Sequence, residues 1–297
     1  MKTFTLFLIT KAQQLMLKTT LLFGLFFGIS LPIFSQQKEG EAAREEPKTL
    51  KAETFNFLEL ARKQEAGLLP PPAVKDPKPP KHLGNQGNNP LPLGFEKAIE
   101  APTPPLLNIP SPNPDLTFLG LNQGSSITNP ADVGGAVGPN HVMTALNTEV
   151  CIRDKSGTLI STVTLQNFVG TTNFAFDPRV VYDPYSQRWI FSACSTANSV
   201  SILELMVSAT NDPTGNWHTY HLNVDATGLD WFDYPSMGFN KDWIVVSGNM
   251  FTWAGNPQTP KGAKTYILKK SDMYAGASAS TYIVTHPTIS TLVPATT

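Results

Sequence analysis

RVVYDPYSQRWIFSACST, residues Arg179 to Thr196, carries the pattern from which the fold class follows. A β-branched and aromatic run enters Asp183-Pro184-Tyr185-Ser186, and a second apolar run leaves it, opened by Trp189. Val, Ile, Tyr, Phe and Trp suit a pleated, half-buried surface, whereas Asp, Pro and Ser favour chain reversal. The stretch therefore reads as strand, tight turn, strand. VSILELMVSATND, Val200 to Asp212, follows as a further strand that ends in another turn.

The same arrangement stands twice more. VGGAVGPNHVMTALN, Val133 to Asn147, turns at Gly138-Pro139-Asn140 and continues through Glu149 to Gly157. SMGFNKDWIVVSGNMF, Ser236 to Phe251, turns at Asn240-Lys241-Asp242 and is followed by Lys264 to Asp272. His141, Trp189 and Trp243 take the same place in each unit, 48 and 54 residues apart. Each unit then closes on an Asp with a Gly shortly after: Asp154 and Gly157, Asp212 and Gly215, Asp272 and Gly276. Several strands per unit, at this spacing and with turn residues between, is what propeller blades require. A single small sheet cannot bury both faces, so such units must pack on one another. The expected fold class is all-β, built from repeated propeller-like sheets with about three blade units present. Closed propellers have about four to eight blades. The expected repeat domain, residues 115–297, is accordingly incomplete on its C-terminal side.

The chain before this domain has a different character. LLFGLFFGISLPIF, Leu21 to Phe34, follows Lys18 and ends at Ser35-Gln36. A basic flank, a short apolar run and a small residue before the cut define a secretory signal, expected over residues 1–35 with cleavage after Ser35. At 14 residues the run is too short to span a bilayer, so no transmembrane anchor is expected after cleavage. Residues 36–69 read as a short helical pro-segment, with the helix over Ala52 to Gln64 and Gly67 as its stop. Residues 70–114 hold 14 of the 26 prolines and read as an extended Pro-rich linker.

ADVGGAVGPNH (Ala131 to His141), Asp177 to Asp183 with Arg188-Trp189, SATNDPTGNW (Ser208 to Trp217) and Asp233-Tyr234-Pro235 resemble a family of uncharacterised secreted β-propeller proteins. Its members are common in Bacteroidetes and related bacteria, and many end in a sorting domain for type IX secretion. The resemblance implies a propeller fold and export, and no particular activity. The turn from Thr210 to Trp217 is also similar to the Asp-box of sialidases and related propellers, with one extra residue between Asp212 and Gly215. That likeness implies a structural role, in which Asp212 caps the turn and Trp217 packs into the blade.

Charge and side-chain chemistry narrow the function classes. Net charge is −1, and the expected domain has only Arg153, Arg179 and Arg188 as arginines. Nucleic-acid binding needs a basic footprint to neutralise phosphates, so no nucleic-acid partner is expected. His218 and His221 are three apart in a strand-like run and point to opposite faces, which argues against joint chelation. No phosphate loop, dinucleotide fingerprint or nucleophile elbow is present. Asp225, Asp230 and Asp233 form the tightest acidic group, and carboxylates on a Gly-containing loop suit Ca²⁺, the one cofactor considered. Beside them, Trp231 and Tyr234 are candidates for a sugar-stacking or protein-binding surface. Cys151 and Cys194 could pair in a disulfide once exported.

The expectation is a secreted or cell-surface protein that binds or scaffolds an extracellular glycan or protein, with no catalytic residue assignable. One rival is a glycan-acting hydrolase, for which Glu149 and Glu204 are the domain's only glutamates. A purely structural surface component is the other.

Overall fold

The computed structural model describes residues 41–71, 113–121, 132–255 and 258–297, all within one compact unit. The expected signal peptide and most of the Pro-rich linker lie outside the described residues.

The described chain is mostly strand, in antiparallel sheets without a closed barrel. The first sheet is a meander of β3 (Gly134–Val137), β4 (His141–Ala145), β5 (Glu149–Asp154) and β6 (Leu159–Thr164). The second runs β7 (Phe174–Asp183), β8 (Arg188–Ala197), β9 (Val200–Ser208) and β10 (Asn216–Asn223). The third runs β11 (Asp230–Phe239), β12 (Trp243–Thr252), β13 (Pro260–Lys269) and β14 (Ala279–His286). The units read from the sequence, 133–157, 179–212 and 236–272, each fall on one of these sheets, and each sheet adds a fourth strand (β6, β10 or β14) beyond its unit.

The turns form for the reasons the residues suggest. Asp183 Oδ1 accepts from the backbone N–H groups of Tyr185 and Ser186 at 3.0 and 3.3 Å. Asn240 does the same for Asp242 and Trp243, at 2.9 Å each. Asp154 accepts from Ser156 and Thr158, and Asp212 from Thr214. Trp217 is fully buried, and its indole N–H donates to the Pro213 carbonyl at 2.8 Å. Asp272 departs from this pattern, because it lies inside a helical turn, α3 (Lys270–Tyr274). Gly276 ends that turn at φ +63°, with Gly276 N–H bonded to Met273 O and Ala277 N–H to Asp272 O. This is a Schellman closure, which needs a left-handed residue at that place.

Two apolar layers hold the three sheets together. Met143, Val150, Ile152 and Val163 of the first sheet meet Trp189, Phe191, Met206 and Trp217 of the second. Ile190, Leu203, Leu205 and Tyr220 on the opposite face of the second sheet meet Phe239, Ile244, Tyr266 and Ile283 of the third. A strand buried on both faces cannot alternate between apolar and polar side chains. β8 shows this: every residue from Trp189 to Thr196 is buried.

The segment before the linker is partly strand. β1 (Ala43–Leu50) pairs with β14 at the edge of the third sheet, and β2 (Glu53–Asn56) pairs with β10 at the edge of the second. Only then does the helix begin, as α1 (Phe57–Glu65), with Asn56 as its N-cap accepting from Glu59 N–H at 3.1 Å. The expected helix therefore starts five residues late. Ladder bonds to β10 capture Glu53 to Asn56, and the Asn56 side chain favours the cap over the helix interior. Gln64 Oε1 then accepts from Thr164 N–H and Asn167 Nδ2 beside α2 (Leu165–Val169), anchoring α1 to the first sheet. One strap of chain so touches the outer side of all three sheets.

Candidate functional site

The first strands of the three sheets are neighbours, and a left-handed residue stands at the same place before each hairpin turn. Asp132, Asp177 and Tyr234 have φ of +49°, +53° and +54°, and each precedes its turn residue (Gly138, Asp183, Asn240) by six positions. In β7 and β11 the cause is a bulge. Two residues, Asp177-Pro178 or Tyr234-Pro235, oppose one residue on the partner strand. A left-handed non-glycine residue costs about 1–2 kcal/mol, so something must hold it there.

Hydrogen bonds within and between the sheets do so. Asn147 Nδ2 donates to Asp132 Oδ2, and Asn147 Oδ1 accepts from Asp177 N–H, both at 2.6 Å. Asp177 Oδ2 accepts in turn from Tyr234 N–H at 3.0 Å. Beyond the third sheet the device recurs: Asn249 Oδ1 accepts from Thr291 N–H at 2.6 Å, and Thr291 has φ +57°. The bulges aim side chains outward at this end. Tyr234 is 44% exposed, and the Arg179 guanidinium lies 4.8 Å above its ring centre. No hydrogen bond or ion pair engages that guanidinium among the described residues.

Comparison with family models, curated proteins and solved structures finds no match. The arrangement must therefore be read from its own chemistry.

The residues anticipated as calcium ligands are placed apart in role. Asp225 caps its own turn, its two oxygens accepting from Thr227 Oγ1 and from the N–H groups of Thr227, Leu229 and Asp230. Burial would raise its pKa, but those hydrogen bonds win and hold the carboxyl below its usual range. Asp233 is buried on β11 with a partner of its own, while Asp230 opens the same strand. No group of three or more His, Cys, Asp or Glu side chains gathers among the described residues. Of the two aromatic candidates only Tyr234 reaches the surface. Trp231 is fully buried, packed against Phe176, Phe251 and Trp253.

Cys151 and Cys194 are thiols, not the disulfide that export would permit. The reason is their placement: Cys151 is buried on β5 of the first sheet, and Cys194 sits in the core between the second and third.

The glutamates likewise lie on different sheets. Glu204 is 1% exposed, its carboxylate accepting from Ser195 Oγ at 2.6 Å and meeting His221 Nδ1 at 2.5 Å. That bond to Glu204 raises the His221 pKa, against the opposing effect of burial. Both Glu204 oxygens are thus occupied inside the fold. His218 sits on the other face of β10, bonded to Thr54 Oγ1 at 2.9 Å.

Sequence reasoning had placed Asp177 and Arg179 within a motif without giving either a role. The recurring X-Pro pair six residues before a hairpin turn is the signal that marks them. Nothing local marks the Glu204–His221 pair, which is made across neighbouring strands.

Proposed function

We propose that this chain is a secreted binding protein of propeller type, presenting its ligand site where β7 and β11 begin. Three four-stranded meanders packed face to face, with first strands β3, β7 and β11 side by side, support the blade reading. Residues after β14 support it further. Thr291 repeats the left-handed position, and Thr297 N–H bonds to Phe239 O, so this segment runs beside β11 as β11 runs beside β7. Export rests on the apolar run Leu21 to Phe34 and its flanks.

The single observation that carries the binding reading is the bridge of Asp177, Arg179 and Tyr234. It holds an aromatic side chain in a strained backbone conformation, open to solvent, under a guanidinium with no acceptor among the described residues. Strained backbone positions cluster at ligand clamps and switch regions. The ligand is an extracellular glycan or protein. The test is binding of the secreted chain to arrays of extracellular glycans and to intact surface proteins. Retention on either supports the proposal. Failure to bind both, by a folded chain, leaves the purely structural surface role.

A further inference from the structure

At the shared left-handed position the first two sheets carry aspartate, and those aspartates have structural work. Asp132 Oδ2 accepts from Asn147, and Asp177 Oδ2 accepts from the backbone of the next sheet. The third sheet carries Tyr234 there instead. A tyrosine ring cannot supply such a carboxylate, and the next unit does not depend on it, because Asn249 holds Thr291 N–H. Sheet packing therefore gives no reason for an aromatic residue at a position that a bulky side chain adopts only under strain.

The ring is nonetheless held for contact. Its Arg179 side is covered at 4.8 Å, and 44% of the residue stays open. Arg179 has five N–H donors in a fixed fork, and none is engaged among the described residues. An aromatic face beside unengaged donors fits a molecule with an apolar C–H face and acceptor oxygens at its edge. A sugar ring has both. The charge balance selects further: on β7 and β11 the acids outside the buried Asp183–Lys270 pair are Asp177, Asp230 and Asp233, against the one cation Arg179. Such a field disfavours a polyanion.

Resting on the binding reading above, we infer that Tyr234 and Arg179 form a subsite for two adjoining rings of a neutral extracellular glycan. The C–H face of one sugar lies on the side of the Tyr234 ring away from Arg179, and a hydroxyl oxygen of the adjoining sugar accepts from Arg179 where the chain passes the ring edge. The experiment is affinity electrophoresis of the whole secreted chain in gels containing laminarin, dextran, starch or glucomannan, and in gels containing alginate or polygalacturonate. Tyr234→Asn keeps a residue that tolerates the left-handed backbone and removes the ring. Tyr234→Phe keeps the ring, and Arg179→Gln removes the charge but keeps a donor. Thermal melts establish that each variant is folded.

The expected result is retardation by at least one neutral polymer and none by the acidic ones. Tyr234→Asn should weaken association at least tenfold, Arg179→Gln several-fold, and Tyr234→Phe little. The inference is overturned if the acidic polymers retard the chain as strongly, or if Tyr234→Asn binds a neutral polymer like the parent. It is also overturned if no neutral polymer binds. In all three cases a chain still captured on the glycan or protein arrays remains a binding protein with another site or ligand. Silence on the arrays as well removes both readings.

Discussion

Replacing His221 by alanine tests whether the polar contact between β9 and β10 contributes to stability in the way its geometry implies. Glu204 is 1% exposed, so its carboxylate oxygens depend on neighbouring side chains for hydrogen bonds. Ser195 Oγ serves one oxygen at 2.6 Å, and His221 Nδ1 serves the other. Without the imidazole the second oxygen keeps its burial and loses its partner. Breaking a buried ion pair from one side costs about 3–5 kcal/mol. A hydrogen bond to a charged group alone contributes about 1.5–3 kcal/mol. The His221 side chain is 31% exposed, so water enters where the ring was, and the lower range applies. The expected loss is about 2–3 kcal/mol. Urea unfolding followed by tryptophan fluorescence would read this as a midpoint lowered by about 1 M, for a slope near 2–3 kcal/mol/M.

The same pair sets a pH signature. His221 has its folded pKa raised above the ordinary 6.5 by the Glu204 hydrogen bond. A raised histidine contributes stability that is fully present below the unfolded pKa and is lost as pH rises through the folded one. Wild-type stability should therefore fall as pH rises from the ordinary value through the higher folded value, and His221→Ala should remove that slope. An alanine variant within about 0.5 kcal/mol of wild type, or a wild-type slope that survives the substitution, would refute the argument.

Three further outcomes follow from neighbouring contacts. Lys270→Met should destabilise by about 3–5 kcal/mol in denaturant titration, because it strands the fully buried Asp183 carboxylate, which Lys270 Nζ meets at 2.5 Å. Lys270→Met combined with Asp183→Asn should recover a large part of that loss. Gly276→Ala should lower Tm by several degrees, since φ there is +63° and an added Cβ would sit 2.6 Å from the His218 ring. Asp225→Ala should lose about 1–2 kcal/mol as a removed turn cap, and Tm should not respond to added Ca²⁺ or to a chelator, because the turn's own donors occupy both carboxylate oxygens. A calcium-dependent rise in Tm abolished by Asp225→Ala would return that loop to the metal reading.

Short-range chemistry fixed the hairpin turns. Asp183, Asn240, Asp154 and Asp212 cap backbone N–H groups only two to four residues away, so their roles are written in adjacent residues. The strands are legible for the same reason, since β-branched and aromatic runs between such turns have few alternatives. Tertiary structure alone decided the rest. Ladder bonds from β10 drew Glu53 to Phe55 into a strand ahead of the helix that Asn56 caps. Packing between sheets buried Trp231, and the bulge in β11 left Tyr234 at the surface. Glu204 and His221 are 17 residues apart, and Asp177 and Tyr234 are 57, so no local pattern joins either pair. Which side chains meet across sheets depends on register and stacking, and those are settled only when two apolar faces close on each other.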